Sequence, residues 1–176
     1  MKFSNSLKLV YALLIAVLAF GAFAAPSAHA APKGPTILDV AKAVNAQTGE
    51  FSILIAAINA ADPAVAKTLS GNGQFTVFAP TDAAFISLLD ELGLTADQVL
   101  GNQALVTQVL LYHVVRGNRD SADILASSRI RTLERGLLSQ SGGVLTDANG
   151  RTASIVLTDV KASNGVIHVI DRVVLP

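Results

Sequence analysis

The sequence predicts a single α+β domain that follows an N-terminal targeting segment. Apolar residues have helix-type spacing up to about residue 111, and strand-forming runs alternate with turn signals from Tyr112 onward. Helices and strands that are segregated along a chain are typical of an α+β fold. The composition, 51% hydrophobic and 15% charged, argues against a disordered protein.

The first thirty residues have the pattern of a secretory signal peptide. Lys2 and Lys8 precede an uncharged apolar run, and Ala28-His29-Ala30 is a small-x-small cleavage site. A membrane anchor is the alternative, but an anchor usually needs ~20 apolar residues, and this run is shorter. We therefore expect a signal peptide over residues 1–30, cleaved after Ala30, a short linker over 31–35 and one domain over 36–176. The protein would be secreted, extracellular or periplasmic, without a membrane anchor.

Capping residues and turn signals predict the elements in order. Ser, Thr, Asp and Asn accept hydrogen bonds from the free N–H groups of a helix start, and proline suits the first helical position. Predicted helix starts are Thr36, Ser52, Asp62-Pro63, Thr81-Asp82, Thr95 and Asn102. Predicted strands are Phe75–Phe78, Tyr112–Val115, Arg129–Leu133, Leu137–Ser139, Val144–Thr146, Ser154–Val160 and Val166–Val174.

Charge and cysteine content exclude several classes of protein. The 13 basic and 13 acidic residues balance, which argues against a nucleic-acid partner held by phosphate neutralisation. With no cysteine, the chain has no disulfide, thiolate ligand or cysteine nucleophile. The balance is uneven along the chain: residues 31–111 hold three basic and seven acidic side chains, and residues 112–176 hold eight and six. The excess of arginine in the second half fits solvated loops, or a molecule that contacts anionic polymers or itself.

Three sequence boxes occur together, at residues 75–85, 110–115 and 164–176. They read FTVFAPTDAAF, LLYHVV and NGVIHVIDRVVLP. Together they resemble the fasciclin-like domain family from about Thr36 to Pro176. The resemblance implies an α+β wedge of about seven strands in two sheets with a helical layer. It also implies a non-catalytic role in adhesion, toward an extracellular protein or polysaccharide surface or through self-association.

The first box is also explained by local structure alone. Phe75 begins a strand that Pro80 ends, because proline has no N–H to donate. Thr81 and Asp82 then accept bonds from the start of a helix that carries Phe85. We interpret this box as a connection between a strand and a helix.

The two histidines of the domain are expected to be structural. His113 lies between apolar neighbours, and His168 alternates with Val166 and Ile170 on one strand face. A metal site would need three or four ligands and a general base would need a substrate pocket; the sequence indicates neither, so we expect no metal and no cofactor. In the fasciclin family the region that begins with Tyr112 and His113 is linked to adhesion, so a surface role stays open for this pair.

Asp159 and Val160 match the position of an adhesion motif of the family. A carboxylate exposed on a turn could complete the coordination of a receptor-bound cation, and the alternative is an aspartate that only stabilises a turn. We expect Asp159 to be exposed where its strand ends. Asn164 and Gly165 are expected to form the following turn, because both tolerate positive φ angles.

Three classes of function can be compared for this sequence. The first is a secreted adhesion protein that binds through a surface. The second is an apolar small-molecule carrier of carotenoid-like ligands, because the helix at residues 53–58 is apolar nearly all round. The third, a hydrolase, is disfavoured because no G-x-S-x-G motif is present.

Overall fold

The computed structural model describes residues 34–176. The predicted signal peptide, its cleavage site and most of the linker lie outside the described residues. The described helices are α1 (Ile37–Thr48), α2 (Ser52–Ala60), α3 (Pro63–Ser70), α4 (Asp82–Leu92), α5 (Ala96–Leu100), α6 (Gln103–Tyr112) and α7 (Ser121–Ala126). The strands are β1 (Phe75–Pro80), β2 (Val114–Arg116), β3 (Arg129–Arg131), β4 (Leu137–Ser141), β5 (Val144–Thr146), β6 (Thr152–Ala162) and β7 (Gly165–Ile170).

The seven strands pair in the order β2-β1-β7-β6-β5-β4-β3. Only β1 and β7 are parallel, and the other neighbours are antiparallel. The long strand β6 connects two parts of the sheet: its first residues pair with β5, and its later residues pair with β7. An isolated antiparallel bridge between Val115 and Thr132 also joins the β2 edge to the chain just after β3. The predicted α+β class with about seven strands is confirmed.

Two apolar cores hold this arrangement together. One lies between the helices and the β1–β2–β7 part of the sheet, and Leu54, Ile58 and Val77 belong to it. The other takes one or more side chains from every strand and is enclosed by the sheet, with Phe78, Ile130 and Leu145 as members. Among the described residues no single helix is long and apolar enough to cross a membrane; α2 and α3 pass that test only as a pair bent by 119°.

Several predicted element boundaries are wrong, each for a local reason. Tyr112 ends helix α6 and does not begin a strand. Strand β7 ends at Ile170, and further along the chain the N–H groups of Val174 and Leu175 donate to side chains, to His113 Nε2 at 3.3 Å and to the Asp147 carboxylate at 2.8 Å. Helix α7 was not predicted, and its Asp120 cap accepts from the Asp123 N–H at 3.0 Å.

Candidate functional site

The predicted adhesion pair lies beside a groove on the outer side of strand β6. We call this the β6 groove; it has a volume of about 270 Å³ and lies between α1 and strands β6 and β7. Ala41, Val44, Phe51, Leu157, Val160 and Val169 contribute to its lining. The groove is largely apolar, and Val160 lies in its wall.

Two register shifts in β6 determine what this strand presents to solvent. Ile155 pairs with Ile170, Leu157 with Val169 and Val160 with Ile167, so β6 carries one extra residue in each interval. An extra residue places two successive side chains opposite one partner residue and changes the direction of the strand. As a result Val156 and Leu157 are 58% and 54% exposed although they are consecutive and apolar.

Asp159 fixes the second bulge. Its φ is 62°, a left-handed conformation that aspartate tolerates better than most residues. Its carboxylate Oδ1 accepts from the Ser121 N–H at 2.9 Å, and hydrogen bonding from Ser121 is the largest effect that lowers the pKa of this carboxyl. The expectation of an exposed Asp159 at a strand end is wrong, because the residue is half-buried within β6 and is bonded to the first residue of α7.

His168 supports the same bulge from the enclosed core. Its side chain is fully buried; Nδ1 accepts from the Asp159 N–H at 3.3 Å, and Nε2–H donates to the Arg119 carbonyl at 3.0 Å. The imidazole of His168 therefore joins β7 to the bulge and to the loop before α7, which is a structural role.

Tyr112 and His113 lie inside the domain. Tyr112 is fully buried and its hydroxyl donates to the Leu137 carbonyl at 3.0 Å. His113 is 2% exposed; Nδ1–H donates to the Val109 carbonyl at 2.8 Å, and Nε2 accepts from the Val174 N–H at 3.3 Å. Burial lowers the pKa of His113 to about 4. Neither side chain is available at the surface for a partner, which corrects the surface role left open for this pair.

The first box folds as a strand and a helix, with one change in the role of Asp82. Phe75 and Phe85 are half-buried, Pro80 is the last residue of β1, and the Thr81 hydroxyl accepts from the Ala84 N–H at 3.2 Å. The Asp82 carboxylate does not bond to its own helix. It accepts from the N–H groups of Ser52 and Ile53 at 3.1 and 2.8 Å and so caps α2. Ser52 is the first residue of α2 and does not cap it.

Asn164 and Gly165 do more than form a turn. The buried Asn164 amide accepts from the Ile37 N–H at 2.8 Å and donates to the carbonyls of Leu69 and Gly71 at 2.9 and 2.8 Å. Gly165 has a φ of 150°, and a Cβ there would lie 1.8 Å from the Phe75 carbonyl oxygen. Only glycine therefore allows β7 to begin against β1.

The ionisable and polar groups buried in the described residues serve the fold. Within residues 34–176, no buried side-chain nitrogen or oxygen lacks a hydrogen-bond partner, and no group of three or more His, Asp or Glu could hold a metal ion. The features that the sequence reasoning missed are the exposed Val156 and Leu157. The uninterrupted apolar run Ile155-Val156-Leu157 breaks the alternation of a half-buried strand, and this break could have indicated the bulge.

This sheet, with its bulged β6 and helical layer, defines a member of a known class of domain. The family model of the Fasciclin domain matches residues 49–176, and the chain belongs to this family.

Curated relatives include protein sll1483 of Synechocystis, which is 39% identical over 145 residues that cover 80% of this chain and 73% of that protein. Transforming growth factor-beta-induced protein ig-h3 of Sus scrofa is 36% identical over 146 residues, which cover 82% of this chain and 20% of that protein. Immunogenic protein MPB70 of Mycobacterium bovis is 29% identical over 151 residues, which cover 86% of this chain and 69% of that protein.

A solved structure of a FAS1 domain pair from the insect cell adhesion molecule fasciclin I has the same fold. It matches with a TM-score of 0.58 and 22% identity over 73% of this chain. The match covers 46% of that longer chain.

Proposed function

We propose that this fasciclin-domain protein is exported and mediates adhesion, through contact of the β6 groove with an extracellular partner, without catalysis. The observation that carries the proposal is the pair of exposed apolar side chains, Val156 and Leu157, held beside the groove by the bulges. Full burial of a Val or Leu side chain contributes roughly 1.5–3 kcal/mol, so covering this pair would stabilise a contact.

Two further observations support the proposal. Fasciclin I, whose solved structure has the same fold, is a cell adhesion molecule, and a mycobacterial relative is named cell surface glycolipoprotein MPB83. The signal-peptide pattern of residues 1–30 agrees with export.

The test is attachment of protein-coated beads to cells of the source organism. The double substitution Val156→Ser and Leu157→Ser should reduce attachment about tenfold or more, because the apolar contact is lost. Ile86→Ser with Leu125→Ser is the matched control, since these side chains are 52% and 56% exposed elsewhere. Equal attachment of both double variants and the native protein would contradict the proposed contact.

A second candidate function is supported by an apolar cavity at the helical side. It has a volume of about 120 Å³ and is lined by apolar residues of α2, α4, α5, α6 and the C-terminal segment, among them Ile53, Phe85, Val99 and Leu175. This volume is close to the ~150 Å³ of an engineered cavity that binds benzene. The cavity would therefore enclose one ring of a ligand and not a whole carotenoid-like molecule. A visible absorption band in protein purified from its native host would support this candidate, and a colourless protein would favour adhesion.

A further inference from the structure

Three arginines meet where the two edge strands of the sheet approach each other. Arg129 and Arg131 flank the buried Ile130 on β3, so both project outward on the same side. The bridge between Val115 and Thr132 is antiparallel, so Arg116 and Arg131 are the next residues along its register. We call Arg116, Arg129 and Arg131 the arginine seam.

The guanidinium groups of the seam are exposed and available. All three residues are exposed, and within residues 34–176 none of their side chains forms an ion pair or donates a hydrogen bond to the protein. Arg151 differs, since it pairs with both carboxylate oxygens of Glu91. Alternate residues of a strand are about 7 Å apart and neighbouring strands about 5 Å apart, so the seam is a short array of positive charge.

The outer sheet face next to the seam is rich in hydroxyl groups. Arg129 is in register with Ser139, which pairs with Thr146, and Thr146 pairs with Thr152. The next row contains Ser141, Val144 and Ser154. None of the outward positions of β3, β4, β5 or residues 152–154 is acidic or aromatic. The Asp171 carboxylate accepts from the Ser154 N–H at the far side of this face, and Glu134 lies in the turn after β3, where it accepts from the Gly136 N–H.

We propose that the arginine seam and the adjacent hydroxyl-rich face bind an acidic polysaccharide. Guanidinium groups form paired hydrogen bonds with carboxylate or sulfate groups, and serine and threonine hydroxyls can exchange hydrogen bonds with sugar hydroxyls. A nucleic acid fits this face less well, because no aromatic side chain is present on it for base stacking. A lipid surface also fits less well, since Leu137 and Val144 are the only large apolar side chains among these outward positions.

This proposal does not rest on the β6 groove. The substituted arginines lie on β2 and β3, and β3 is three strands away from β6 in the sheet order. Only the far end of the hydroxyl-rich face, at Thr152 and Ser154, belongs to β6, so the two sets of substitutions can be tested separately. The Val156→Ser, Leu157→Ser double variant should keep its polysaccharide binding even where its attachment to cells is lost.

The test uses immobilised alginate, which carries carboxylates, and dextran sulfate, which carries sulfates, with neutral dextran as the reference. The triple variant Arg116→Gln, Arg129→Gln, Arg131→Gln should lose about tenfold or more in affinity for at least one acidic polymer. The control triple variant Lys42→Gln, Lys67→Gln, Arg172→Gln has the same change in net charge at exposed positions elsewhere and should stay within about twofold of the native protein. The polymer for which the seam variant loses more affinity identifies the preferred anion, carboxylate for alginate and sulfate for dextran sulfate.

Four results would overturn the proposal. They are no binding of the native protein to either acidic polymer, equal binding to neutral dextran, equal losses in both triple variants, and unchanged binding in the seam variant. Thermal melting checks that the variants are folded, since exposed substitutions usually shift stability by less than about 0.5 kcal/mol. Self-association that only the seam substitutions abolish, without polysaccharide binding, would instead assign the seam to a second copy of this chain.

Discussion

His113 is a buried histidine whose two ring nitrogens are both engaged in the neutral state. The ring joins the end of α6 to the C-terminal segment through Val109 and Val174. Protonation would replace the acceptor at Nε2 with a donor that faces the Val174 N–H, and it would place a charge in an apolar core. Burial accordingly holds the pKa of His113 at about 4.

The low pKa of His113 predicts acid sensitivity. The unfolded state binds this proton below about pH 6.5 and the folded state only below about pH 4, so the free energy of unfolding should fall as the pH decreases between these values. Over this pH range the lowered pKa of His113 should reduce the free energy of unfolding by about 3 kcal/mol. Urea denaturation at pH 7 and pH 4.5 measures it, with a His113→Asn variant that cannot titrate. An equal pH dependence of both proteins would show that another group is responsible.

Removal of the His113 ring should cost about 1–3 kcal/mol at pH 7, because His113→Ala leaves the Val109 carbonyl and the Val174 N–H without a partner in the core. The midpoint of urea denaturation is the measurement. A midpoint equal to that of the native protein would indicate that water replaces both bonds.

At the scale of elements, Asp82 joins two helices that are distant in sequence. Because its carboxylate caps α2 from the start of α4, Asp82→Ala should lower the free energy of unfolding by about 1–2 kcal/mol. Asp90→Ala is the control, since Asp90 is exposed on the same helix and should shift stability by less than about 0.5 kcal/mol. Equal effects of the two substitutions would show that the cap contributes little.

The bulge in β6 depends on the backbone conformation of Asp159. Asp159→Asn keeps an acceptor for the Ser121 N–H and tolerates a φ of 62°, so we expect a loss of less than about 1 kcal/mol. Asp159→Val loses the acceptor and strains a β-branched residue, and it should cost about 2–3 kcal/mol. Thermal and urea unfolding of both variants test this, and equal stabilities would exclude backbone strain at the bulge.

The sequence predicted elements best where the signal is local. Asp62 and Pro63 begin α3, and the predicted strand Val144–Thr146 is strand β5 itself. The roles of Asp82 and Asp159 could not be predicted, because each carboxylate bonds to a backbone N–H 29 to 38 residues away. The exposed Leu157 depends on register shifts against β7, which neighbouring residues alone do not determine.

At the scale of the whole molecule, the two halves of the chain differ in surface chemistry. The helical half has an acidic balance, and the strand-rich half is basic, with unpaired arginines at the seam and apolar side chains beside the β6 groove. His113, through the Val109 carbonyl, and the buried carboxamide of Asn164, through Ile37 and Leu69, hold these halves together. The buried polar groups therefore maintain the fold, and none of them is exposed on either half of the surface.

Photo-crosslinking tests the proposed contact most directly. Benzoylphenylalanine is placed at position 157 in one protein and at position 125 in another. Leu157 and Leu125 are 54% and 56% exposed, and Leu157 lines the β6 groove whereas Leu125 does not. Each protein is bound to cells of the source organism and irradiated. We expect adducts with cell-surface material from position 157 and few or none from position 125. Adducts from position 125 alone, or equal yields from both positions, would contradict the β6 groove as the adhesive surface.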